Sequence, residues 1–526
     1  TFDRPLLTPK IQNVYGATVD PTAETLSVDS WGKKLSDLTA DELNYSGAKL
    51  RNTASNDDVN DFFRTGATFN NSISVSGGTE TVRTYFSYAN SYSDGMMRNN
   101  NYKRNTLSFR QSYSLFNKKL NVDLSLNYVQ AKTKNRPGGG TVMNPLYDLY
   151  RMPRNVDLNY YKENYYIENG KWTSNEQSYF DSKNNKWTTG TVELTGPKQE
   201  WAYWQNGMNN PYWMVNTRNS ISEEERAYGY ISANYQIIDG LKIQGRLSLD
   251  RTKMKGTSER MATTWNISAM EDYGMYGQDL NWINEVYVDA LLSYDKQIKD
   301  FSISATTGWT GHTLKGETQK LWAKATTANW KHDTMPTLIN FFEPSVSQGN
   351  VSERSYTLSS NWDKGLLFTG QIGWQEKVYL EGSYRRDWYR AFKQYSYRGT
   401  PTNYGYFSVG ANALLHQIVT LPEVITNLKV RASYSEVGNS IPNVLYNARN
   451  TDPLTGAAVP SSYSYFNNPI PEKTKSFEAG FDISLFGSAL NWDMTYYNSA
   501  MHNSYLTISD LGGLKKPVNA GVIRNQ

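Results

Sequence analysis

The chain has 526 residues, with 54 Lys and Arg against 50 Asp and Glu and a formal net charge of +4. This balance gives no support to nucleic-acid binding, which requires a basic excess. Since the chain contains no cysteine, disulfides and thiolate metal sites are excluded. Mean hydropathy is −0.66, and no run approaches the roughly 18 apolar residues of a membrane helix, so a helical membrane protein is excluded too.

Taken in chain order, strands are predicted wherever apolar and polar residues alternate, because successive strand side chains point to opposite faces. About fourteen strands can be placed in this way, and they come in pairs. The pairs are 71–77 with 82–92, 106–115 with 120–129, 227–237 with 241–250, 286–294 with 301–309, 366–374 with 378–384, 407–415 with 428–434, and 477–485 with 490–496.

The third pair has the clearest pattern. Ile243, Leu247 and Leu249 alternate with charged and amide residues, and Asp239-Gly240 joins this run to the one before it. Asp-Gly is a strong signal for a tight hairpin. Ten-residue segments with one apolar and one polar face are typical of transmembrane β-barrels.

The connections support the same interpretation. Links within pairs are short, whereas most links between pairs are long, the longest at 132–225 and another at 313–363. Outer-membrane barrels have short periplasmic turns and long extracellular loops. We therefore predict an all-β fold, a transmembrane antiparallel β-barrel with long extracellular loops. We expect residues 1–526 to form one barrel domain, and we interpret the chain as an internal piece of a longer polypeptide.

Charged residues on the polar strand faces are expected to line the barrel interior. They are Arg110, Asp123, Arg246, Asp250, Asp289, Glu381, Arg385, Arg431, Glu478, Asp482 and Asp493. Ion pairing across strands and direct contact with a solute are alternative roles for each. The four histidines stand alone, and no nucleophile elbow or phosphate-binding loop occurs. We therefore predict no enzyme activity, no cofactor and no metal site.

Aromatic residues are frequent in the long connections. Trp187, Trp201 and Trp204 are candidates for stacking on a sugar or an apolar side chain. Packing within the loop is the alternative for each of them. Together with Arg385, these three tryptophans are the residues that we predict to contact cargo or a lid.

Short motifs along the chain resemble one transporter family. They are Pro9-Lys10-Ile11-Gln12-Asn13-Val14-Tyr15-Gly16, Ser30-Trp31-Gly32, Asp61-Phe62-Phe63-Arg64-Thr65-Gly66, Ser74-Val75-Ser76-Gly77-Gly78, Tyr102-Lys103-Arg104-Asn105, Asn210-Pro211-Tyr212-Trp213, Tyr434-Ser435-Glu436-Val437-Gly438-Asn439, and Val518-Asn519-Ala520-Gly521 with Arg524-Asn525. In this order they resemble the barrel portion of the SusC/RagA-type TonB-dependent transporters of the Bacteroidetes outer membrane.

The resemblance implies a 22-stranded barrel with an N-terminal plug, a TonB complex that drives it, and a SusD-like surface lipoprotein as its lid. It also implies import of oligosaccharides or peptides, and the sequence does not separate these two cargoes. Signal peptide, plug, TonB box and final strands are expected outside this chain, so energy-coupling residues cannot be assigned. A passive porin-like channel and a soluble all-β carbohydrate-binding protein are the alternatives.

Overall fold

The computed structural model describes the whole chain except residues 1–10, 21–24, 27–28, 55, 139–142, 182, 204–206, 267–268, 272–273, 325–350, 394–400, 441–449, 452–457, 460–468 and 510–514. In this part of the chain the strands are β1 (Val19–Asp20), β2 (Thr25–Leu26), β3 (Ala67–Gly78), β4 (Val82–Asp94), β5 (Asn101–Leu115), β6 (Leu120–Lys134), β7 (Tyr166–Asp181), β8 (Lys186–Gln199), β9 (Asn219–Ile238), β10 (Leu241–Arg260), β11 (Thr264–Asn266), β12 (Ala269–Glu271), β13 (Met275–Ile298), β14 (Phe301–Lys324), β15 (Val351–Trp374), β16 (Val378–Tyr389), β17 (Asn403–Leu414), β18 (Ile425–Asn439), β19 (Asn450–Thr451), β20 (Ala458–Val459), β21 (Glu472–Leu485), β22 (Leu490–His502), β23 (Tyr505–Ser509), β24 (Lys515–Asn519) and β25 (Val522–Asn525).

Helices are few and short among these residues. The α-helices are α1 (Asn56–Asp61), α2 (Pro145–Arg151), α3 (Leu158–Glu163), α4 (Pro211–Thr217) and α5 (Arg390–Lys393), and 3-10 helices lie at Leu35–Asp37, Glu42–Gly47 and Leu415–Gln417. None of the described helices is long and apolar enough to cross a membrane.

One antiparallel sheet of 15 strands dominates the described structure, in the order β25-β22-β21-β18-β17-β16-β15-β14-β13-β10-β9-β6-β5-β4-β3. Each strand pairs with its neighbour in the chain once the separate pairs β1–β2, β7–β8, β11–β12, β19–β20 and β23–β24 are set aside. All fourteen predicted strands lie in this sheet, and β25 is its fifteenth strand. The predicted all-β antiparallel fold is confirmed.

Because the strands alternate in direction, their connections alternate between the two ends of the sheet. One end, here the turn end, carries short links such as Asp239-Gly240, where Gly240 takes a left-handed φ of 82°. The peptide N–H of Asp295 donates to the carbonyl of Gly240 at 2.9 Å, which ties this turn to β13. The other end, here the loop end, carries the long connections and the small hairpins.

The strands run further toward the loop end than alternation alone indicates. β13, β14 and β15 each have 24 residues. Of the predicted loop 313–363, residues 313–324 and 351–363 instead continue β14 and β15, and residues 325–350 lie outside the described structure. The predicted loop 132–225 narrows to 135–218, which contains α2, α3, α4 and the β7–β8 hairpin.

Candidate functional site

The two faces of the sheet differ in chemistry along its whole width. On β10, Leu247 and Leu249 are 39% and 53% exposed although they are fully apolar. Their partners across β9 and β13, such as Ile231 and Val288, continue the same apolar face. Exposed apolar surface of this extent marks contact with a partner or a membrane.

The polar face is held together by ion pairs between neighbouring strands. Arg246 on β10 bonds Asp289 on β13 at 2.7 Å, and that carboxylate is only 2% exposed. Arg226 donates from Nε to Asp250 at 3.0 Å. The side chain of Arg431 bonds Asp482 at 2.7 Å in the same manner. Cross-strand pairing, one of the two roles considered from the sequence, is therefore the role seen for Arg246, Asp289, Asp250, Arg431 and Asp482.

Arg385 lies in a compact polar cluster on β14, β16 and β17. Its Nε donates to Asp387 at 2.8 Å, and Nη2 approaches the Thr310 hydroxyl at 3.4 Å. The hydroxyls of Tyr389 and Tyr406 also donate to the Asp387 carboxylate. The guanidinium remains more than one-third exposed on the polar face, so it can bond a further acceptor.

Gly365 on β15 makes the close packing of this cluster possible. A Cβ atom at this position would lie 2.5 Å from Oδ1 of Asp387 and 2.8 Å from Nη2 of Arg385. Real Cβ atoms do not approach other atoms so closely, so a side chain here would displace the ion pair. Sequence reasoning missed this role, since glycine alone does not reveal which side chains approach it.

His312 on β14 joins two carboxylates of the neighbouring strands on the polar face. Its Nε2 lies 2.7 Å from the Glu285 carboxylate, and its Nδ1 lies 2.9 Å from that of Asp363. Alternation alone does not connect these residues, because they come from three different strands. No group of three or more metal-ligating side chains suited to a metal ion occurs within the described ranges.

At the loop end, residues from the amino-terminal segment, the β4–β5 connection and the 135–218 connection share a buried core, here the loop-side core. Its buried members are Ala17, Leu26, Ala48, Leu50, Val59, Phe62, Met97, Leu149, Met152, Val156, Leu158, Tyr161, Trp201, Tyr203, Met208, Tyr212 and Val215. The segments meet by specific bonds as well as by packing: the N–H of Ala17 donates to Oδ1 of Asn155 at 2.9 Å.

Several of the family-like motifs form this region. Asn210 caps α4 by accepting the Tyr212 N–H at 2.9 Å and donates to the carbonyls of Tyr161 and Glu200. Trp213 donates from Nε1 to the Thr264 hydroxyl at 2.9 Å, which ties α4 to β11. The N–H of Gly32 donates to the carbonyl of Gly16 at 3.1 Å, which joins two other motifs. These motifs thus build the loop end.

The predicted contact residues have different environments. Trp201 is 3% exposed, with its ring 4.8 Å from that of Tyr161 and 5.5 Å from that of Tyr203. This burial fits the alternative of loop packing. Trp187 lies in β8 opposite Phe180, and its side chain lies outside the described structure, as does the whole of Trp204.

Asp148 is a buried carboxyl at the loop end, 3% exposed. Burial raises its pKa from 3.8 to about 7, although the Asn209 N–H and Arg151 favour the ionised form. The Asn209 N–H donates to Oδ2 of Asp148 at 3.2 Å. Burial also raises the pKa of the Glu200 carboxyl. The loop-side core therefore contains a carboxyl that exchanges its proton near neutral pH.

An antiparallel sheet with one exposed apolar face, one charged face and segregated turns and loops is the wall of a transmembrane β-barrel. The chain belongs to the TonB dependent receptor-like, beta-barrel family, whose model matches residues 262–526. The protein is therefore an outer-membrane protein, as predicted, and a soluble all-β binding protein is excluded. This is a family of receptors and transporters.

Solved structures agree with this assignment. A structure of the RagAB peptide transporter matches with 17% identity and a TM-score of 0.65, covering 93% of this chain and 51% of that chain. The RagAB peptide importer in its "open-open" state matches with 17% identity and a TM-score of 0.66, covering 97% and 56% of the two chains. This chain thus spans about half the length of those relatives, and at this identity the likeness concerns the fold. No curated protein sequence matches the chain.

The resemblance to SusC/RagA-type TonB-dependent transporters is thereby confirmed for the barrel wall. By the rule for such barrels, the polar face lines the interior and the apolar face meets lipid. Arg385, His312 and the paired charges therefore face the interior of the barrel.

Proposed function

We propose that the chain is the barrel portion of an active importer that moves oligosaccharides or peptides across the outer membrane. In this proposal the loop end lies outside the cell, a SusD-like lipoprotein covers it, and the TonB complex acts through segments beyond this chain. Residues 1–526 then form one barrel domain whose long connections, among them 135–218 and the connection between β14 and β15, are extracellular loops. The family and the separation of long loops from short turns support this arrangement.

Of the two cargo classes, peptides are the one that we favour. Solved structures of the RagAB peptide transporter match the chain with TM-scores of 0.65 and 0.66, and a peptide offers carboxylates and carbonyls to arginine donors. The observation on which the proposal rests most is the polar face, where mixed charges are paired across strands yet Arg385 remains accessible. Such a surface suits a solute that carries both charges.

Growth of a deletion strain tests the proposed import. The strain should fail on a peptide mixture as sole nitrogen source and recover when the gene is restored, but not when TonB is also deleted. A panel of glycans as sole carbon source runs in parallel. Restored uptake that does not require TonB would identify a passive channel, and a defect confined to glycans would replace peptide by oligosaccharide.

Two adjacent arginines on β16 provide a matched test of the interior site. Arg385→Gln removes the charge of the interior guanidinium, whereas Arg386→Gln changes its neighbour, which points to the opposite face and bonds Asn403 at 2.8 Å. We expect peptide uptake to fall roughly tenfold or more for the first variant, since a charge-assisted bond contributes about 1.5–3 kcal/mol. Equal uptake by both variants, at equal barrel abundance, would remove Arg385 from the cargo path.

A further inference from the structure

The apolar face contains a groove with its own shape. Strands β4, β5, β6, β9 and β10 border an apolar cavity of about 640 Å³, lined by side chains such as Phe86, Leu107, Leu126, Ile231 and Leu249. Gly229 is part of its lining, opposite Leu126 on one side and Leu249 on the other. A Cβ atom at Gly229 would lie 2.0 Å from the carbonyl oxygen of Ser125, so glycine allows the close approach of β9 and β6 between these two leucines.

Basic side chains border the groove toward the loop end. Arg251 lines the groove itself and lies opposite Ala227. Lys253 and Lys255 lie further along the same face of β10. Across the sheet from Lys255, Glu223 on β9 pairs with Lys132 on β6, and Lys132 pairs with Lys103 on β5. These five residues, Arg251, Lys253, Lys255, Lys132 and Lys103, are here the basic rim.

The rim lies at the height of lipid headgroups. Arg251 comes eleven residues after the turn glycine Gly240. With a rise of about 3.4 Å per residue and a tilt of roughly 40°, it stands about 28 Å above the turn. The apolar band of an outer-membrane barrel is about 25 Å tall, so the groove lies within the hydrocarbon and the rim above it.

Two carboxylates lie among these cations. Glu223 bonds Lys132 at 2.8 Å, and Glu225 lies opposite Lys253 in the register. Five cations therefore face two carboxylates, and the surplus is positive. Tyr128, which also lines the groove, adds a hydroxyl at the same level as Arg251. A ligand that fits has hydrocarbon chains below and anionic oxygens above.

We propose that the groove and the basic rim form a binding site for a phosphorylated, multiply acylated glycolipid of the outer leaflet, that is, lipopolysaccharide. One acyl chain occupies the groove between Leu126 and Leu249, and the phosphates of the sugar headgroup bond Arg251, Lys253 and Lys255. Planar guanidinium and flexible ammonium groups both bind phosphate oxygens well. The inference rests on the orientation proposed above, with the loop end outside the cell.

Native mass spectrometry of the detergent-purified full-length protein tests the site. Rough-type lipopolysaccharide, the same lipid after removal of its phosphates, and phosphatidylglycerol serve as probes. The charge variant is Arg251→Gln with Lys253→Gln. Its matched control is Lys364→Gln, on the apolar face of β15 and likewise eleven residues from its turn at Gln375. Ala227→Trp fills the groove, and Ala432→Trp adds the same ring elsewhere on this face.

The wild type, Lys364→Gln and Ala432→Trp should retain phosphorylated lipopolysaccharide, while the charge and groove variants should retain at least fivefold less. Heat-modified migration in gels confirms that each variant is folded. Equal retention by all variants, or equal binding of the dephosphorylated lipid, overturns the proposal. Preference for phosphatidylglycerol does so too. Peptide uptake is measured in the same strains, so a failed lipid site with normal uptake is distinguishable from a failed import function.

Discussion

At the scale of single residues, the structure changes what a substitution on β10 is expected to do. From the sequence, Arg246 is simply one polar residue of an alternating strand, so replacement by leucine should leave folding intact. In the structure its guanidinium donates to Asp289, a carboxylate with almost no exposure. The Gln244 side chain also donates to this carboxylate, from Nε2 at 3.0 Å. The partner came from a strand 43 residues away, which alternation does not identify.

We therefore predict that Arg246→Leu lowers the free energy of unfolding by about 1–3 kcal/mol, because a buried acceptor loses a charged donor. Urea unfolding in lipid vesicles measures the change. Lys242→Leu on the same face, exposed near the turn, is the control and should shift stability by about 0.5 kcal/mol or less. In an Asp289→Asn background the loss should shrink, since the pair is already broken. An unchanged loss there would show that the ion pair is not the cause.

At the scale of strands, alternation predicted the sheet where one face meets lipid and failed beyond it. All fourteen predicted strands exist, yet β13, β14 and β15 continue for about ten residues past the apolar band. There both faces meet water, so the two-residue pattern disappears: Lys315, Glu317 and Gln319 on β14 share a face with Trp309. Hydrogen bonding between neighbours extends these strands without any apolar signal.

Within the band the assignment of faces has a direct test on β10. Leu247→Arg places a charge against hydrocarbon and should lower the free energy of unfolding by about 2–4 kcal/mol near the bilayer midplane, less toward an interface. Ser248→Arg, one residue on, points into the barrel and should have a much smaller effect. Unfolding in vesicles of two acyl-chain lengths separates lipid contact from packing. Equal losses for both variants would contradict the two-faced sheet.

At the scale of the whole molecule, the loop end is the part whose structure the sequence predicts least. Ala17 and Asn155 are 138 residues apart, and Lys49 and Tyr161 are 112 apart, yet each pair is hydrogen-bonded. No residue pattern in the sequence predicts these contacts, because irregular loops pack through caps and buried amides. Trp201 is an example: its ring is 3% exposed and lies 4.8 Å from that of Tyr161, an environment that its place in a loop does not predict.

The loop-side core should loosen as pH rises, and Asp148 provides the reason. Its folded pKa of about 7 lies above the ordinary value of 3.8, so between these values the folded state holds a proton that the unfolded state has lost. Stability therefore falls as pH rises from about 4 to about 7 and is level above that range.

Hydrogen exchange of α2 and α4, corrected for intrinsic rates, should show less protection at pH 8 than at pH 5. Asp148→Asn keeps an oxygen for the Asn209 N–H and should abolish the difference, whereas Asp157→Asn, at the cap of α3, should retain it. A pH dependence that survives in Asp148→Asn would assign the effect to another group.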